Sequence, residues 1–139
     1  MPHAVITGEE WCKDVPRATR WPLLLGSLVL VCREPVLAFS ALSPEAFGEL
    51  HGVVRGVEQM LRAFTAYERI NYLMLMMVDP DVHFHVIPRY SGKRSFQGLE
   101  FPDAGWPGPP ALEPAVALDD ATRDALVGEL RQAWQRADE

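Results

Sequence analysis

Asn71-Tyr72-Leu73-Met74-Leu75-Met76-Met77-Val78, then Asp79-Pro80-Asp81, then Val82-His83-Phe84-His85-Val86-Ile87-Pro88-Arg89 is the stretch from which the fold is read. Two apolar runs of strand length flank a short insert of turn-forming residues, which predicts an antiparallel hairpin. In the second run the two-residue period of a strand sends His83 and His85 to one face and Phe84 and Val86 to the other. Two imidazoles then share one surface, and the opposite face is suited to a core.

Upstream, Ser27 to Arg33 (SLVLVCR) is apolar and rich in β-branched residues, and it follows Gly26; it predicts a central strand buried on both faces. Ser43-Pro44-Glu45 carries a capping hydroxyl, a proline for the first helical position and an acid for the positive end of the dipole. The helix that follows has an apolar stripe at Phe47, Leu50, Val54, Val57, Leu61 and Phe64. Gly48, Gly52 and Gly56 weaken it, so packing has to hold it. His51, one residue off the stripe, reads as a partly exposed helix histidine. Downstream, eight of the seventeen residues from Gly98 to Pro114 are glycine or proline, which predicts a surface loop or arm. Asp119 caps a last helix over 119–138, with Leu126, Leu130, Ala133 and Trp134 on one face. These elements predict an α+β fold: an antiparallel sheet, one long helix and a C-terminal helix, with residues 1–139 forming one domain.

Composition narrows the function classes. Of 139 residues, 48% are hydrophobic and 23% charged, which supports a packed core rather than a disordered chain. The net charge of -6 argues against nucleic acid and anionic membrane as partners, so any anionic ligand must be held locally. The longest apolar stretch, Trp21 to Cys32, is interrupted and too short to span a bilayer. Met1 to Trp11 lacks a basic segment followed by a long apolar one, so the expected compartment is the cytoplasm, with Cys12 and Cys32 as free thiols and Cys32 buried in its strand.

His83 and His85 invite two chemistries. A metal needs a third ligand, and the positions just downstream are Pro88, Arg89 and Tyr90, so no metal site is expected. Phosphate chemistry fits better. A neutral imidazole can take a nucleotidyl group and release it to water, and a second, protonated imidazole can donate to the phosphate oxygens that gain charge. Arg89, Lys93 and Arg94 place cations where a polyphosphate would lie; for Lys93 and Arg94 the plainer alternative is solvated surface. Asn71 is either a phosphate contact or a cap at the start of its strand.

Asp81-Val82-His83-Phe84-His85-Val86-Ile87-Pro88-Arg89 resembles the signature of the histidine triad (HIT) family, in which three histidines alternate with apolar residues ahead of Pro-Arg. Gly26 to Val31 and Ile70 to Leu73 resemble two further strands of that family, so the likeness runs from about Pro22 to Tyr90. The resemblance implies a HIT-like antiparallel sheet, a homodimer in which two sheets join, and a small nucleotide substrate bound near the signature strand. It implies a nucleotidyl hydrolase or transferase acting at the α-phosphorus of a nucleoside phosphoramidate or dinucleoside polyphosphate, with His83 as the nucleophile and His85 beside the transferred phosphate. Asn71, Asp81 and Arg89 are the implied nucleotide-binding residues.

The chain departs from the family pattern in two places. Asp81 replaces the first histidine, a position whose backbone carbonyl orients the nucleophile in the family; its carboxylate can also hold a divalent cation accompanying a polyphosphate. Met76, Met77, Val78 and Asp79 stand where relatives carry glycine with a serine, threonine or glutamine that steadies the leaving group. A nucleotide-binding protein without catalysis is therefore the alternative. Phe101 and Trp106 in the arm need a surface: their own sheet, or, for Trp106 with Lys93, the substrate.

Overall fold

In the computed structural model, which describes residues 11–14, 24–77, 80–112 and 118–137, the long helix α1 runs over Pro44–Thr65 and starts as its sequence predicts. Ser43 Oγ accepts from the Ala46 N–H at 3.1 Å. The Glu34 carboxylate in turn accepts from the Ser43 N–H at 2.8 Å and from its hydroxyl. At the other end Ala66 takes a left-handed conformation, φ 51°. There Arg94 donates to the Thr65 and Ala66 carbonyls at 2.5 and 3.0 Å, placing a cation at the negative end of the dipole.

The buried face of α1 comprises Ala46, Val53, Val57, Met60, Leu61 and Thr65. Val57 and Leu61 belong to the expected stripe, but Phe47 is 41% exposed. The helix is rotated so that small Ala46 meets the core, and Phe47 packs at its margin against Phe39, ring centroids 5.5 Å apart.

Four antiparallel strands form the main sheet: β1 (Trp11–Asp14), β2 (Leu28–Cys32), β3 (Arg69–Leu73) and β4 (His83–Arg89), in the order β1-β2-β4-β3. Strand β1 was not expected from the sequence. Strand β2 is interior as expected but buried fully on one face only: Leu28, Leu30 and Cys32 are buried, while Val29 and Val31 are half-covered. The expected hairpin is present as the β3–β4 pairing, with Leu73 opposite His85. The first strand is shifted, however, starting at Arg69 and leaving the sheet after Leu73; Met76 has φ 53°, which a strand does not admit. Val78 at the end of the predicted first strand and Asp79 of the predicted insert lie outside the described residues, as do the predicted arm's last residues, Glu113 and Pro114, and the side chain of Cys12.

The arm is not irregular throughout. Strands β5 (Lys93–Phe96) and β6 (Leu99–Pro102) form a two-stranded ribbon turned by Gln97 and Gly98, both at positive φ. The proline and glycine cluster begins only at Pro102, which leaves Leu99 to Phe101 free to pair. Phe101 enters the protein's own core, 2% exposed.

Helix α2 (Asp120–Ala137) is capped by Asp119, whose Oδ1 accepts from the Thr122 N–H at 2.7 Å. Leu126, Val127, Leu130 and Ala133 are buried in the cluster shared with α1 and β2. No helix among the described residues is long and apolar enough to cross a membrane. His51 is exposed on α1 and Cys32 is buried, both as expected.

Of the three helix glycines, Gly56 has a packing role. A Cβ there would stand 2.6 Å from two ring carbons of Trp134, whereas a Cβ at Gly48 or Gly52 meets nothing within 4 Å. Gly56→Ala should therefore lower stability by about 1–3 kcal/mol through overpacking. Gly48→Ala and Gly52→Ala should each raise it, by up to about 1 kcal/mol, through helix propensity. Thermal melts of the three variants check this; a stabilised Gly56→Ala protein would contradict the packing account.

Candidate active site

Strand β4 sits between β2 and β3, and its alternation divides the sheet into two surfaces. Phe84, Val86 and Pro88 point to the α1 side, with Val86 fully buried. His83, His85, Ile87 and Arg89 point to the other. Register places Val31 opposite His83, Val29 opposite His85, and Leu73, Asn71 and Arg69 opposite His85, Ile87 and Arg89. Residues opposite one another in register share a face, so Asn71 lies on the surface that His83 and His85 share; the common face of the two histidines is the one expected from the sequence.

His83 is 7% exposed, and its ring centroid lies 5.3 Å from that of His85 with the planes at 75°. His83 Nδ1 donates to the carbonyl oxygen of Asp81 at 2.7 Å. A carbonyl can only accept, so Nδ1 carries the hydrogen and, in the neutral ring, Nε2 keeps the lone pair. The first position of the motif thus orients His83 through its backbone, and aspartate in place of histidine leaves that contact intact. His85 is half-buried; burial first, and His83 second, hold its pKa below the ordinary imidazole value of 6.5. At neutral pH it is an uncharged ring with one N–H, so any hydrogen bond it gives to a phosphate comes from a neutral imidazole and not from the protonated ring that the sequence allows for.

Arg89 occupies a different position from the one its sequence context suggests. Its guanidinium donates from Nε to Asp103 Oδ2 at 2.7 Å and from Nη2 to Asp103 Oδ1 at 3.0 Å, a two-pronged ion pair. Nη2 also donates to the Gly108 carbonyl at 2.8 Å, and Nη1 to Asn71 Oδ1 at 2.7 Å. The side chains of Arg89 and Asp103 are 4% and 0% exposed. This cation is paired before any anion arrives, and removing either partner alone would leave a buried charge, a loss of about 3–5 kcal/mol.

Asp103 and Gly108 belong to the arm, so Arg89 ties the arm to β3 and β4. The result is an open groove of about 890 Å³ bordered by Arg69, Asn71, Leu73 and Trp106 with the prolines after it. Its Leu73 end adjoins His85 in register. Trp106 thus lines the same groove as Asn71 and Arg89. Lys93 is outside the groove, more than half exposed and paired with Glu100 across the ribbon at 2.7 Å. Arg94 caps α1 and stacks 4.4 Å from the Tyr90 ring centre. Tyr90 is itself fully buried, with its hydroxyl accepting from the Leu25 N–H and burial pushing its pKa up to about 12.

Asp103 was missed by sequence reasoning. It lies in a Pro-Asp-Ala-Gly run that reads as a turn. The usable signal was on the other partner: an arginine at the end of an apolar strand needs an acid if it is buried. Among the described residues no three of His, Cys, Asp and Glu form a group that could hold a metal ion.

No family model and no curated protein matches the chain. Solved structures do. A histidine triad (HIT) protein from Sinorhizobium meliloti is 23% identical, over 91% of this chain and 85% of that one, with a TM-score of 0.68. A histidine triad protein from Bradyrhizobium japonicum is 21% identical, over 93% and 87%, also at 0.68. A hypothetical histidine triad nucleotide-binding protein from Sulfolobus tokodaii is 15% identical, over 94% and 82%, at 0.67. The chain has the histidine triad fold, an α+β architecture with antiparallel sheets and two helices. At these identities the likeness is one of fold.

The state of His85 has a consequence for stability. In the unfolded chain it protonates near 6.5, and in the folded protein only at lower pH. Between those two values the unfolded state binds more protons, so this contribution is fully present above the unfolded pKa and is lost as pH falls through the folded one. Urea melts between about pH 8 and about pH 5 should show a steeper acid-side loss for the wild type than for His85→Asn. Parallel curves would show that His85 is not held neutral.

Proposed function

We propose that this protein is a nucleotidyl hydrolase or transferase of the cytoplasm that cleaves at the α-phosphorus of a nucleotide conjugate, either a nucleoside phosphoramidate or a dinucleoside polyphosphate. The observation that carries this reading is the bond from His83 Nδ1–H to the Asp81 carbonyl, which leaves Nε2 as a fixed nucleophile beside a second imidazole.

Nε2 of His83 attacks phosphorus, the bond to the leaving group breaks, and a histidine-nucleotidyl intermediate forms; water or an acceptor then displaces His83. His85, neutral, donates its N–H to a non-bridging oxygen as charge builds there. Asn71 contacts the nucleotide through its amide, whose oxygen is turned to Arg89. Trp106 offers the leaving group a flat wall. Asp81 is assigned to a divalent cation accompanying a polyphosphate. The rival reading, a nucleotide-binding protein without turnover, rests on the lost histidine at position 81 and on the missing hydroxyl or amide at Met76 to Asp79; the carbonyl contact weakens the first ground alone.

The active form is proposed to be a homodimer with joined sheets and no nucleic-acid partner. Strand β3 is an edge of the described sheet, and just past it Leu75 and Met77 are 49% and 84% exposed, a pairing-competent edge beside apolar surface.

Rapid quench of the wild type with a labelled adenosine phosphoramidate should trap label on the protein, and His83→Ala should lose the label and at least about a hundredfold of turnover. Unchanged hydrolysis by His83→Ala would end the mechanism. A wild type that binds AMP in calorimetry yet turns over no conjugate would favour the rival. Sedimentation at micromolar concentration should give twice the chain mass, and a clean 15.6 kDa species would count against the dimer.

A further inference from the structure

Asp103 has no place in the chemistry proposed above, yet its carboxylate is fully buried and is bonded to more groups than a surface turn requires. Oδ2 accepts from Arg89 Nε at 2.7 Å and from the Tyr90 N–H at 3.2 Å, and Oδ1 accepts from Arg89 Nη2 at 3.0 Å. Through Arg89 it reaches Asn71 Oδ1 on β3 and the Gly108 carbonyl of the arm. The arm is tied at the same place along its own backbone: Trp106 N–H donates to the Asp103 carbonyl at 3.2 Å, and Gly108 N–H to the Gly105 carbonyl at 2.7 Å.

Two things follow from this connectivity. The Asn71 amide is oriented, since its oxygen faces Arg89 and its NH2 group must point elsewhere. Trp106 and the prolines after it are also held beside β3, where they form one wall of the groove whose other wall is Arg69, Asn71 and Leu73. Without Asp103 the guanidinium would be a buried charge with no counter-ion, and of the arm's ties to Arg89 only the bond to the Gly108 carbonyl would remain.

We infer that Asp103 is a positioning residue: by holding Arg89 it seats the 106–110 arm as a preformed wall, and the site thereby selects conjugates whose leaving group is large and flat enough to fill the groove. This rests on the nucleotidyl-transfer reading, since it concerns the leaving-group side of that same site. It assigns Arg89 to the arm rather than to the phosphate. A rigid wall favours a leaving group that fills it because the ordering cost is met during folding and not on binding. A leaving group too small to touch the wall gains nothing from it.

The test compares two adenosine phosphoramidates that share the nucleotidyl half, one releasing ammonia and one releasing tryptamine. For Asp103→Asn, which keeps the shape and removes the charge, kcat/KM for the tryptamine conjugate should fall about tenfold or more, mainly through KM. The value for the ammonia conjugate should change by less than about twofold. Trp106→Ala should fall in the same direction for the tryptamine conjugate. An equal loss on both conjugates would assign Asp103 to general stability. A lower KM on both would show that a released Arg89 binds phosphate directly. Either outcome overturns the inference.

A readout independent of turnover is the amide hydrogen exchange of Trp106 and Gly108. It should speed by about tenfold in Asp103→Asn, while the amides of α1 stay unchanged. If the wild type turns over neither conjugate, the function reading fails and this exchange still decides whether Asp103 anchors the arm; unchanged exchange overturns that anchoring.

Discussion

A central antiparallel strand must satisfy a different environment on each of its faces, and β4 meets that constraint with strict alternation. Its Phe84, Val86 and Pro88 side closes the core beneath α1, where Leu28, Leu30 and Cys32 of β2 are buried beside Val57, Met60 and Leu61. Its His83, His85 and Arg89 side carries every charged or titratable group of the strand. A shift of one residue in register would drive both imidazoles and a guanidinium into that core, at a cost no packing gain could offset. The β2 and β3 pairings therefore fix the site and the core together.

The same alternation explains why the two ends of the strand behave differently. At its start, His83 needs only a local partner, and the Asp81 carbonyl two residues away provides it. At its end, Arg89 has no local partner of opposite charge. It is satisfied by residues 14 and 19 positions downstream and 18 upstream, so burying it organises the chain well beyond the strand. A lysine would not serve there, since a single ammonium cannot span both carboxylate oxygens, an amide and a carbonyl with the planar fork that guanidinium provides. The exposed Lys93–Glu100 pair contrasts with it, and is worth at most about 1 kcal/mol.

Helix α1 shows how far local signals carry. Its start at Ser43-Pro44 was legible because capping is a matter of a few consecutive residues, and the cap is in place. Its rotation was only partly legible. Hydrophobicity alone nominates Phe47, but the close approach of helix to sheet selects Ala46, and the approach of α2 selects Gly56, a residue that propensity counts as a defect. The arm was misjudged for a related reason: a count of prolines and glycines over seventeen residues averages a short pairing segment, Leu99 to Phe101, with the breakers that follow it.

By itself the sequence determined the two-faced strand with its adjacent histidines, the capped helix before it, the hairpin partner, the capped last helix and the histidine triad likeness, because each of these depends on spacing within one element or across one turn. Only the tertiary structure decided that His85 is neutral, that Arg89 is bound to Asp103 rather than open to an anion, and that Trp106 borders a groove with Asn71. Those properties arise from burial and from partners far apart in the chain, and neither desolvation nor a long-range ion pair leaves a periodic mark in the residues that will share it.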